Sequence, residues 1–205
     1  MRASVNKKTV FLAQFAMLLA IEAIVCFTPL GSLPAFGPIV ATLGMVPVII
    51  TAIILGTRAG TAMGFFTGLF SFCVWTFTPP SPIAFVFTPF YSIGSVHGNF
   101  WSLVICFVPR ILVGTVTGLC FSLFTRLKWK NVFAYGVSGV LGSLTNTLLV
   151  MGGIYVFFGQ SYSTAIGQSF NALLGIIGLT ILTSGIPEAI IGGIAAYAIC
   201  YPIKK

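Results

Sequence analysis

Residues 101–130 read WSLVICFVPRILVGTVTGLCFSLFTRLKWK. The first part, 101–125, is an apolar run with a single charge, Arg110, and it stops at the basic cluster Arg126, Lys128 and Lys130. A helix needs about 20 apolar residues to cross the hydrocarbon core of a bilayer. Lysine and arginine close to the end of a span mark its cytoplasmic side. The stretch therefore predicts a membrane helix that enters from outside and ends inside the cell. Its interior cation is costly in lipid and calls for a functional reason.

Working outward, five further apolar runs lie at roughly 9–28, 38–56, 59–78, 131–157 and a last one ending near 202. Threaded as six spans, they leave Arg2, Lys7, Lys8, Arg58, Arg126, Lys128, Lys130, Lys204 and Lys205 on one side, nine of the ten basic residues. The opposite segments hold no charged residue, only His97. This asymmetry predicts that both termini are cytoplasmic. Composition agrees: the chain is 58% hydrophobic and 6% charged, with a mean hydropathy of +1.09. A soluble domain of this length needs a charged surface that these residues cannot supply. The expected fold class is an all-α membrane protein of six transmembrane helices, because backbone in lipid must bond internally. Residues 1–205 are read as one integral-membrane substrate-binding domain, multi-pass in the cell membrane. The first run carries Gln14 and Glu22 without a cleavage pattern, so it reads as a retained span. The +8 charge belongs to cytoplasmic loops and implies no nucleic-acid partner.

The connections carry their own signals. An external loop from Thr28 to Pro38 is rich in proline and glycine, and Gly56–Gly60 is a tight internal turn. The second external loop, about Thr78 to Asn99, combines four prolines with Phe85, Phe87, Phe90 and Tyr91. A long aromatic loop suits a lid over an amphiphilic ligand; the competing reading is a loop lying in the headgroup region. At the end of the chain, Ala172–Ile203 is apolar for longer than one span, about 48 Å as a helix, and Gly185 and Pro187 interrupt it. Ser163–Thr183 is read as an outer loop with a partly embedded helical piece, and the last span as about Ser184–Pro202. One straight tilted helix is the alternative.

Small residues recur at four-residue spacing: Ala16 and Ala20 in the first span, Gly60, Gly64 and Gly68 in the third, Gly114 and Gly118 in the fourth. Such faces allow close helix approach. Packing within the chain accounts for most of them, and the first span is the candidate for an outward, partner-facing use.

Three charged residues lie inside spans: Glu22, Arg110 and Glu188. Counting along the helices puts Arg110 about 13 Å from the outer entry, and Glu22 and Asn146 about 20 and 22 Å from the inner one. Four polar groups on four helices thus converge on the outer half, which describes a capture chamber. A through-pore would need polar lining along its whole length. The structural alternative is an internal salt bridge from Arg110 to Glu188 or Glu22. Pro109 and Pro187 precede Arg110 and Glu188, where a proline loosens backbone and exposes carbonyls. Trp75, Phe77 and Tyr91 are candidates for apolar walls. The five cysteines lack metal-ligand spacing and read as buried hydrophobes. No serine elbow, phosphate loop or paired carboxylates are present, so neither an enzyme, a metal nor a cofactor is expected. A proton-coupled carrier working through Glu22 or Glu188 remains the reading from another class.

With these residues in hand, the chain resembles the substrate-binding S components of energy-coupling factor (ECF) transporters. Ala16-Met17-Leu18-Leu19-Ala20 matches the AxxxA pattern of their first helix. Gly142-Ser143-Leu144-Thr145-Asn146-Thr147 and Ile186-Pro187-Glu188-Ala189-Ile190-Ile191 resemble fifth-helix and last-helix segments of one branch, the pantothenate-specific members. The resemblance implies a vitamin captured from outside, a transmembrane scaffold (T) subunit docked on Ala16 and Ala20, and two cytoplasmic ATPase subunits. It also implies outer loops that cover the substrate. Arg110 then suits the pantothenate carboxylate, and Asn146 suits its amide or a hydroxyl. Thr145, Glu188, Trp75 and Tyr91 complete the expected substrate site. Folate, riboflavin, cobalamin and queuosine-precursor branches share the architecture.

Overall fold

The computed structural model describes residues 6–28, 43–94 and 96–204. Among the described residues seven α-helices carry the fold: α1 (Lys7–Phe27), α2 (Met45–Ile54), α3 (Thr57–Phe77), α4 (Phe100–Arg126), α5 (Asn131–Ala165), α6 (Phe170–Thr180) and α7 (Ile186–Lys204). α1, α3, α4, α5 and the continuous stretch Phe170–Lys204 are each long and apolar enough to cross a membrane. The protein is a multi-pass membrane protein. The expected second span is represented by α2, ten residues long. The remainder of that span before 43, and the loop expected from Thr28 to Pro38 beyond its first residue, lie outside the described residues, as do Arg2 and Lys205.

Helix ends follow local chemistry. Asn6 caps α1 by accepting from the Lys8 backbone N–H at 3.0 Å. Gly56, at φ 96°, makes the turn from α2 into α3, a conformation that costs glycine little. Asn99 starts α4, accepting from the Trp101 N–H at 2.8 Å while its own N–H donates to Ser102 Oγ at 3.0 Å. The Ser102 hydroxyl in turn donates to the Phe85 carbonyl at 2.6 Å, which pins the preceding loop to the bundle. At the other end, Lys204 Nζ donates to the Ile53 carbonyl at 2.8 Å and stands 4.7 Å from the Phe121 ring centre. One cation thereby satisfies an end carbonyl of α2.

α3 and α4 cross at van der Waals contact because glycines meet there. A Cβ on Gly114 would collide with the Gly60 carbonyl, and one on Gly64 with the Arg110 carbonyl. The same antiparallel logic pairs α5 with α7 through Gly139 and Gly192. These glycine faces are internal packing, as expected for the third and fourth spans. The pairings collect Lys7, Lys8, Arg58, Arg126, Lys128, Lys130 and Lys204 at one end of the bundle and the 78–99 connection at the other. Near the basic end an apolar cluster fills the interior, with Ile49, Ile53, Met63, Val113 and Phe121. A second cluster, including Phe85, Ile105, Ile154, Phe158 and Leu173, lies toward the connection.

Three expectations change. First, the 78–99 connection, read as a lid or as a loop in the headgroup region, is packed into the bundle along part of its length. A 3-10 turn, Pro82–Val86, buries Ile83, Phe85, Val86 and then Phe87 in the second cluster, and a two-stranded hairpin follows, β1 (Ser92–Ile93) with β2 (Val96–His97). Burial of these four aromatic or branched side chains is favourable enough, at about 1.5–3 kcal/mol each, to draw the segment inward. Second, α5 continues past 157 to Ala165. Third, Ser163–Thr183 is helical from Phe170 onward, joined to α5 by a short connection. The reason is packing: Phe170 stacks on Tyr155 at 5.9 Å, and Leu173 is fully buried against α5. α6 then enters α7 through a π-helical turn, Ile181–Gly185. Pro187 has no N–H for the carbonyl of Thr183 and its ring displaces that turn, so the ladder widens to the Ile186 N–H bonding the Ile181 carbonyl. Such turns recur at functional sites.

Candidate functional site

Between the two apolar clusters lies a cavity of about 410 Å³. Every long helix contributes to it. Val25 and Cys26 come from α1, Gly44 and Met45 from the start of α2, and Thr67, Ser71, Val74 and Trp75 from α3. Arg110 is supplied by α4, Asn146, Thr147, Val150 and Met151 by α5, and Thr180, Ser184, Gly185 and Glu188 by the π turn and its flanks. Phe87 of the 78–99 connection closes one side.

Arg110 is held by its own helix. Pro109 cannot donate to the carbonyl four residues back, Ile105, and Arg110 Nη1 donates to that same carbonyl at 2.9 Å. The proline creates the acceptor and the next residue occupies it. The guanidinium lies 5.3 Å from the Phe87 ring centre, and Phe87 stacks on Trp75 at 4.6 Å. This orders cation, ring and ring along one wall, an attractive arrangement when desolvated. Among the described residues neither glutamate forms an ion pair with Arg110, so the alternative reading, an internal salt bridge, is not made. Instead Arg110 Nε, Asn146 Oδ1 and Glu188 Oε1 are each buried without a hydrogen-bond partner. A buried polar group left alone costs roughly 1–3 kcal/mol. Three of them lining one cavity describe a site complementary to a polar molecule.

The other expected residues fall as follows. Trp75 lines the cavity. Glu22 does not: it is fully buried behind Cys26, whose thiol donates to Glu22 Oε1 at 3.2 Å, and next to Gly44. Thr145 is not among the residues lining the cavity, and its hydroxyl donates back to the Leu141 carbonyl at 2.7 Å; Asn146 and Thr147, one and two positions on, take the inward face. Tyr91 packs against the second apolar cluster beyond the 3-10 turn, and Phe77 points outward. Ala16 and Ala20 are exposed on α1. The sequence reading named Trp75 and Glu188 but missed the residues that share their four-residue stripes, Thr67 and Ser71 on α3 and Thr180 and Ser184 before α7, and it did not place Phe87 at the site. Polar residues repeating every fourth position in an apolar run were the available signal.

Comparison with known proteins settles the family. A model of the ECF transporter substrate-specific component matches residues 10–203. The chain belongs to that family. As a substrate-specific component it is a transport subunit rather than an enzyme. Two relatives are similar over most of their length. The pantothenic acid transporter PanT of Lactococcus lactis subsp. cremoris is 37% identical over 169 residues, which are 82% of this chain and 80% of that protein. The pantothenate transporter PanT of Leuconostoc mesenteroides subsp. mesenteroides is 32% identical over 201 residues, 95% of this chain and 92% of that one. For a substrate-specific component, a largely apolar cavity with a few polar groups on its walls, blocked toward one end by Ile49, Ile53, Met63 and Val113, can hold a small molecule but gives it no open path through.

Proposed function

We propose that this protein captures pantothenate from outside the cell as the S component of an ATP-driven ECF importer in the cell membrane. One observation carries the substrate: Arg110 stands on the wall of a cavity sized for a small ligand, unpaired by either glutamate and with Nε unbonded. A guanidinium binds a carboxylate with planar, charge-assisted hydrogen bonds. Pantothenate has one carboxylate, and the volume lies near the lower end of the usual ligand range of about 300–1,000 Å³. The relatives named for pantothenate support the same reading. Asn146 serves the amide or a hydroxyl, Trp75 and Phe87 the apolar walls.

The whole chain then acts as one six-span binding domain with both termini in the cytoplasm, and the 78–99 connection forms the outer cover. Docking on the scaffold subunit uses the exposed Ala16–Ala20 face of α1, and the ATPase partners supply the energy. Calorimetric titration of the purified chain, freed of carried ligand, tests the substrate. Saturable binding of pantothenate, with no binding of folate, riboflavin or cobalamin, is the expected result. Binding of another vitamin in its place would keep the transport role and replace the cargo.

A further inference from the structure

An anionic cargo explains Arg110 but not Glu188. A carboxyl group facing the same cavity weakens the binding of an anion unless the cargo gives it something to bind. Glu188 is 8% exposed, lines the cavity from the first turn of α7, and leaves Oε1 without a partner. Its helix reaches the cavity through the π turn, where Gly185 packs against Thr147, the neighbour of Asn146. Glu188 and Asn146 therefore belong to adjoining turns of α7 and α5, and both show unpartnered oxygen there. Arg110 reaches the cavity from another helix, α4, beside Phe87, and makes no ion pair with Glu188 among the described residues. The cavity thus receives donors from α4 and carboxylate acceptors from α7.

We propose that Glu188, supported by Asn146, is the specificity subsite for the hydroxyl end of the cargo, so that the cavity selects an anion whose other end carries hydrogen-bond donors. This inference rests on the pantothenate reading and gives it a polarity: carboxylate on Arg110, hydroxyls on Glu188. Glu22 is excluded from this role because Cys26 and Gly44 stand between it and the cavity. A site built to accept a hydroxyl rejects the analogue that lacks it far more strongly than an apolar wall rejects an extra group.

The test needs three probes and the purified chain: pantothenate, the β-alanine amide in which both hydroxyls are replaced by hydrogen, and free β-alanine. Titration of the unmodified chain is expected to favour pantothenate over the dideoxy amide by roughly 30-fold or more, the range for hydrogen bonds to a charged group. In Glu188→Gln that preference is expected to shrink to a few-fold, with the affinity for the dideoxy amide unchanged or tighter. Equal binding of pantothenate and the dideoxy amide by the unmodified chain would overturn the inference without any variant and leave pantothenate as cargo. An undiminished preference in a folded Glu188→Gln would remove Glu188 from the subsite. Tighter binding of β-alanine than of pantothenate would reassign Glu188 to an ammonium group and overturn the hydroxyl reading. Failure of pantothenate itself, with another vitamin bound, would fall on the proposed function instead.

Discussion

Arg110 is placed by its own helix, through Pro109 before it and the Ile105 carbonyl one turn back. Pro109 frees a carbonyl one turn back, and the guanidinium occupies it. This local bond leaves the rest of the fork for a ligand and sets the side chain before any ligand arrives, which lowers the ordering cost of binding. Arg110→Ala is expected to weaken pantothenate binding by about 2–5 kcal/mol. Arg110→Lys should recover little of it, because an ammonium on a flexible stem cannot reach the Ile105 carbonyl and present a planar pair of donors at once. Titration of both variants checks this; full affinity in the lysine variant would mean that charge alone matters. Arg110, Asn146 and Glu188 were legible in the sequence because a polar group in lipid is too costly to be incidental. Thr145 was mistaken for an inward residue, although one step along a helix turns a side chain by about 100° and the neighbouring Asn146 and Thr147 take the inward face. Glu22 was read as part of the chamber because depth along a helix does not reveal which residues stand in front.

At the scale of elements, the crossing of α3 and α4 decides how near Trp75 and Arg110 can come. Gly64→Val would press a side chain onto the Arg110 carbonyl. Melting in detergent should reveal a loss of about 1–3 kcal/mol from overpacking, together with weaker pantothenate binding. Gly152→Ala is the matched control: nothing lies within 4 Å of the added Cβ, and the change should gain about 0.5–1 kcal/mol from helix propensity. Equal behaviour of the two variants would deny the crossing its role. The sequence announced α1, α3 and α4 well, since apolar runs and basic clusters set their limits. It showed a helical piece before Ser184 and an interruption at Gly185 and Pro187, but hid the extent of α6 and the π turn that joins it to α7. A proline in an apolar stretch predicts a disturbance but not whether the chain kinks, breaks or widens, and Leu173 and Phe170 decide that by docking on α5. The inward course of Pro82–Val86 was equally hidden, because a 3-10 turn of five residues has no periodicity to read.

Across the whole molecule the interior is shared very unevenly. The buried residues of the two apolar clusters come from α2 to α7 and from the Pro82–Val86 turn and its flank, while α1 buries one residue, Glu22, and packs mainly on α3 and α2. Ala16→Trp therefore adds bulk to a surface and leaves the cavity alone. Pantothenate binding by the isolated chain should be unchanged, and co-purification with the scaffold and ATPase subunits should be lost. A variant that assembles normally would free the α1 face from docking. The threading of apolar runs captured the handedness of charge along the bundle, with seven basic residues at one end, because orientation is set by residues that packing does not touch. Because the exposed face of α1 and the residues around the cargo share almost no side chains, selection can alter them separately. A lineage could change the machinery with which it is shared while keeping its nutrient, or retune for a new nutrient while keeping its machinery.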